Sequence, residues 1–134
     1  MIWRDIFLSK VIEEKEIIEA FSCILNIDKG KINLIRNILN FRDDDLLTCI
    51  IDSLDGDFCM CLDCYVDFNM DNEFEVISSL SMKINCDILI TDDTGDNRDN
   101  PYAFVIFSPC ADPKKVEIDP KLFDEEYKMK IIKN

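Results

Sequence analysis

Two stretches of this chain hold residue types that do chemistry. The first is CMCLDC, with Cys59, Cys61 and Cys64. Zinc sites ask for C-x2-C pairs and four ligands. Cys61 and Cys64 have that spacing, but no second pair follows nearby. On an extended strand the two point to opposite faces, so the cysteines read as small apolar strand residues. Cys59 and Cys61 share a face and are expected to be partly exposed. The second stretch is TDDTGDNRDNP, residues 91–101, which has the composition of a calcium loop without its spacing. Counting from Asp92, Gly95 falls at position 4 where an EF-hand needs it at 6, and the flanks are strand-like rather than helical. This loop reads as a solvated or partner-contacting surface, its exit held extended by Asn100-Pro101.

The chain has no histidine. That removes Ser-His and Cys-His nucleophiles and most zinc hydrolases. Carboxylate chemistry survives as an alternative, but with 28 Asp and Glu, nothing in the sequence selects one pair. Three glycines leave little for phosphate-cradling loops. The expectation is a non-enzyme without cofactor or metal.

Charge is distributed unevenly. Residues 1–42 and 113–134 each carry a net +1, while residues 43–112 carry −15, giving −13 for the whole chain. A surface of one sign steers a partner of the other sign. Nucleic acid and anionic membrane are therefore excluded as expected partners. Seven cysteines, an odd number without framework spacing, together with an N-terminus lacking a signal-like run, suggest reduced thiols in the cytoplasm.

The elements that position these residues follow from periodicity. A length of 134 residues fits a single domain, 1–134. Residues 5–9 suggest a strand. Residues 13–27 suggest a helix with Ile17, Ile18, Phe21, Ile24 and Leu25 on one stripe, stopped near Gly30. Residues 31–38 read as a strand. LLTCIIDSLDGDFCMCLDCYVDF reads as a hairpin about a two-residue Asp55-Gly56 turn, with Asp52 facing Cys59 and Thr48 facing Asp63. One hairpin face (Leu47, Cys49, Ile51, Phe58, Met60, Leu62, Cys64, Val66) is core. The other (Asp52, Asp57, Cys59, Cys61, Asp63, Tyr65, Asp67) is mixed and acidic. Residues 72–84 suggest a second helix with an Asn72–Glu75 capping box and Phe74, Ile77, Leu80 and Ile84 buried. Residues 86–91 and 102–108 read as central strands and 115–118 as an edge strand. A turn or short helix follows, and then a last strand. The fold class is α+β: a mixed, largely antiparallel sheet with two helices on one side, ordered β-α-β-β-β-α-β-β-(β).

From residue 46 onward, the order of features is a hairpin around GDFCMCL, an apolar strand, an acidic loop, Asn-Pro-Tyr, a second apolar strand and V-E-I-D. It resembles small immunity proteins of bacterial polymorphic toxin and contact-dependent growth inhibition systems. The resemblance implies a cytoplasmic protein that binds a cognate toxin domain, often a basic nuclease, and blocks it. The acidic segment fits that role. The expected contacts are Asp52, Asp57, Asp63 and Asp67 on the hairpin and Asp92, Asp93, Asp96 and Asp99 on the loop, with Tyr65 and Tyr102 as aromatic anchors. An acidic DNA-mimic inhibitor of a nucleic-acid enzyme and, further off, a carboxylate enzyme or metal-binding domain stay open.

Overall fold

The computed structural model describes residues 2–94 and 99–133. It is an α+β fold built on one eight-stranded sheet. The elements are β1 (Ile2–Leu8), α1 (Glu14–Leu25), β2 (Ile32–Ile35), β3 (Leu47–Ser53), β4 (Met60–Val66), α2 (Glu73–Ile84), β5 (Ile88–Thr91), β6 (Ala103–Phe107), β7 (Lys114–Ile118), α3 (Pro120–Glu126) and β8 (Ile131–Lys133). The strand order is β2-β3-β4-β1-β5-β6-β7-β8. All pairs are antiparallel except β2 with β3.

The two faces of the sheet are covered by different segments. α1 and α2 pack against each other and seal the first face. Ile6, Leu8, Leu47, Cys49, Ile51, Leu62, Cys64, Ile88 and Ile90 meet Ile17, Phe21, Ile77 and Leu80 there. The second face holds a smaller cluster: Phe7, Phe58, Cys61, Leu89, Phe104, Val116, Ile118 and Met129, with Phe123 of α3 laid over it. α3 is thus a third helix on the side opposite the other two. It begins in an Asp119 cap whose carboxylate accepts from the Lys121 and Leu122 N–H groups, with Pro120 at the first helical position.

Both long helices end by one device. Asn26 and Asn85 take the left-handed conformation, at φ 54° and 52°, and return their N–H groups to Ser22 and Ser81. The two serine hydroxyls then donate to the carbonyls of Ile27 and Cys86 at 2.7 Å. Gly30 is not the stop expected of it; it sits in a 3-10 turn capped by Asp28. Asn72 makes no side-chain cap bond, so the Asn72–Glu75 box does not form. Phe74 is exposed in the first turn of α2, its ring edge-on to Phe107, and Val76 takes its expected place in the core.

The hairpin is longer than the sequence suggests. Ser53 pairs with Met60 and Asp52 with Cys61, so the register is displaced by two residues from a two-residue turn. Asp55 does not have the positive φ that turn requires, and only Gly56, at φ 109°, does. The cause is Phe58. Its ring is buried in the second-face cluster, and the next N–H, that of Cys59, bonds the Leu8 carbonyl at 3.0 Å. That packing draws residues 55–58 out of the ladder, which closes with the Leu54 N–H donating to the Cys59 carbonyl at 2.9 Å, and it puts Phe58 on the face opposite the one expected. A displacement of two leaves every other strand side chain on its expected face. β7 is likewise not an edge, because β8 pairs outside it.

Candidate functional site, the open acidic half of the second face

The C-terminal segment covers only part of the second face. Beyond it, β1, β4 and β3 present Asp5, Asp63 and Asp52 next to one another. Asp5 and Asp63 are directly paired across β1 and β4, and Asp63 faces Ile50 while Asp52 faces Cys61 across β4 and β3. Crowding shows in the titration of Asp5, whose carboxyl is pushed up to about 6. Desolvation is the largest cause, followed by a hydrogen bond to Asp63 and the Asp63 charge, with Arg4 opposing. Below that pH the protonated Asp5 carboxyl is placed across the strand pair to donate to Asp63. Tyr127 borders the cluster, and its hydroxyl is pushed up to about 12 by burial and by Cys61, Asp5, Asp63 and Asp52. Its ring stacks edge-on to Phe7 at 6.3 Å, marking where the covered half ends.

Of the three cysteines of CMCLDC, Cys59 is half-buried and Cys61 and Cys64 are buried. Cys61 and Cys64 lie in opposite cores, as strand alternation requires. Cys61 is buried rather than partly exposed, and burial followed by the Asp63 charge pushes its thiol far up. It donates to Asp63 Oδ1 at 3.4 Å. Cys49 and Cys64 face each other across β3 and β4 with their sulfurs 3.4 Å apart, fully inside the first core. Among the described residues no group of three or more Cys, Asp or Glu is arranged to hold a metal ion.

The hairpin acids and the loop acids do not form one surface. Asp57 and Asp67 are exposed but flank opposite ends of β4, roughly 20 Å apart along a seven-residue strand. Asp52, Asp63 and Tyr65 do share the second face, with Asp63 between the other two along β4, and Tyr65 is braced by Phe41 with ring centroids 5.4 Å apart. In the loop, Asp92 is buried, so it is no surface contact. It accepts from the Thr94 hydroxyl at 2.5 Å and N–H at 3.1 Å and lies 3.9 Å from the Lys115 ammonium. Asp93 pairs with Arg4 at 3.0 Å, Asp99 is exposed, and Asp96 lies outside the described residues. Tyr102 donates to Asp124 at 2.6 Å and packs on Phe123, so it docks α3 rather than standing free as an anchor.

Arg4 carries a role its sequence context does not announce. Its guanidinium forms a fork with Glu73 at the start of α2 and bonds the Thr91 carbonyl, the Thr91 hydroxyl and Asp93. One side chain, 13% exposed, thereby ties β1, α2 and the mouth of the acidic loop together. The only signal for it is that Arg4 is an isolated cation in an apolar strand. Asp5, its neighbour, belongs to the acidic cluster and was equally inconspicuous in a segment of balanced charge.

Comparison of the chain with protein-family models, with curated proteins and with solved structures gives no match. No helix among the described residues is long and apolar enough to cross a membrane.

Proposed function

We propose that this chain is an immunity-type inhibitor, a non-enzymatic cytoplasmic protein that binds and neutralises a basic toxin domain through its acidic surface. One observation carries the reading. Among the described residues no Lys or Arg lies within 4 Å of the carboxylates of Asp5, Asp52, Asp57, Asp63, Asp67 or Asp99. A fold that leaves aspartates crowded and unpaired on a sheet face sacrifices stability there, and a cationic partner relieves the repulsion. The resemblance of residues 46 onward to immunity proteins supports the same reading.

The test is affinity capture from the native cell's lysate at low salt, followed by salt-step elution. The retained protein is then expressed alone and together with this chain. A single basic protein that survives the high-salt step, arrests growth when alone and is silenced by co-expression supports the proposal. Several basic proteins released together at modest salt refute it and favour a DNA mimic, whose attraction is screened within about a Debye length.

A further inference from the structure

The connection between β2 and β3 presents apolar side chains to solvent. Ile38, Leu39 and Phe41 are 61%, 85% and 41% exposed. Scattered single apolar residues are ordinary on a surface, but three within four positions form a patch. The segment that carries them is held in place. The Asn37 carboxamide accepts from the Leu39 N–H at 3.0 Å, Asn33 Nδ2 donates to the Asn40 carbonyl at 3.3 Å, and Arg42 pairs with the buried Asp45 at 2.8 Å. A tip already fixed this way loses little freedom when it docks.

The patch continues into the acidic face. Phe41 rests on Tyr65, whose strand also carries Asp63. Phe41 and Tyr65, in edge-to-face contact, line one side of an open pocket of about 180 Å³ that also touches Asp43 and Asp67, with Arg42 already engaged by Asp45. Two aromatic rings and two free-standing carboxylates suit a partner's arginine or lysine.

We infer that the β2–β3 connection is the apolar anchor of the docking surface: Ile38 and Leu39 enter an apolar recess on a basic protein while one of that protein's cationic side chains fills the Phe41–Tyr65 pocket. The inference rests on the inhibitor reading and names the part of the surface that gives it grip. Charge selects the occupant. Asp44 is held by Lys31 at 3.8 Å and Arg42 by Asp45, which leaves Asp43 and Asp67 as the carboxylates without an ion pair beside the patch among the described residues; a second copy of this chain would set these against their own like, and nucleic acid has the wrong sign. The surface required is modest: about 800 Å² for a standard interface, close to a tenth of the 7723 Å² exposed by this chain.

The probe is the protein retained by wild type through the high-salt step, purified and titrated calorimetrically over a range of salt. Ile38→Ser/Leu39→Ser is expected to weaken binding about 30-fold while leaving the salt dependence unchanged, as truncation of a central anchor does. Asp52→Asn/Asp63→Asn is expected to flatten the salt dependence instead. Because Ile38 and Leu39 face solvent, an unchanged melting temperature verifies the fold of that variant. Equal affinity of Ile38→Ser/Leu39→Ser and wild type overturns the anchor and leaves the inhibitor reading standing. The absence of any protein retained at high salt overturns both. A wild-type dimer in sedimentation that Ile38→Ser/Leu39→Ser abolishes also overturns the anchor, since a second copy would then cover the patch.

Discussion

Replacing Asp5 with Asn tests the crowding of the acidic face directly. In wild type the folded-state value is about 6 against 3.8 for an unperturbed aspartate. A carboxyl raised on folding binds its proton more tightly in the native state than in the unfolded one. Its contribution to stability is therefore full below about 3.8 and is lost as pH rises through about 6. At about 1.36 kcal/mol per unit the whole shift would be worth about 3 kcal/mol. Asp5 is solvent-exposed, and screening reduces this to about 1 kcal/mol. Asn at this position mimics the protonated acid, since its amide can donate to Asp63 without adding charge. Urea unfolding of both proteins at pH 4 and pH 7.5 reads the difference. Near pH 4 the two midpoints should nearly coincide. At pH 7.5 the variant should be more stable by about 1 kcal/mol, a midpoint shift of about 0.5 M urea. A variant less stable than wild type at pH 7.5, or an offset independent of pH, would refute the reasoning. Because a cationic partner would also expel the proton shared with Asp63, wild-type affinity should rise between pH 5 and 7, and the Asp5→Asn variant should lack part of that rise.

Arg4→Met should cost about 2 kcal/mol, because it leaves the half-buried Glu73 carboxylate without its fork; chemical denaturation measures it, and a loss under 0.5 kcal/mol would show the fork to be ornamental. Phe58→Ala should cost about 3 to 5 kcal/mol as a core truncation, and it should increase hydrogen exchange at Cys59, whose N–H bonds Leu8. Asp92→Ala should lower stability by about 1 to 3 kcal/mol while leaving partner affinity unchanged, since the carboxylate serves the Thr94 turn. In contrast, Asp52→Asn/Asp67→Asn should leave the melting temperature within a few degrees and slow association with the captured partner at low salt.

The strands and the two long helices were legible because their apolar periodicity is strong. In α1, Ile17 and Phe21 are fully buried, and in β5 three consecutive residues are. The faces of the hairpin were legible for the same reason, even though its turn was not, because a displacement of two preserves alternation. What decided the turn was a long-range event, the burial of Phe58 against Phe104 and Met129, which local turn chemistry does not encode. The acidic face was half legible. Asp52, Asp63 and Tyr65 follow from alternation within one hairpin, but Asp5 joins them only through the pairing of β1 with β4, a fact of topology. Asp92 misled because loop acids are usually solvated, and an aspartate that folds back to its own turn looks identical in sequence.

β1 precedes in the chain both strands it pairs with and stands in the interior of the sheet order. Ile6 pairs with Leu62 on one flank, and Leu8 with Ile88 on the other. During synthesis the segment IWRDIFL must therefore emerge and remain without its ladder partners until both halves of the chain have followed. A nascent chain halted before β4 offers a sticky strand rather than a folding intermediate. Arg4 and Asp5, side by side in that strand, are the charged residues that interrupt its apolar run over this interval.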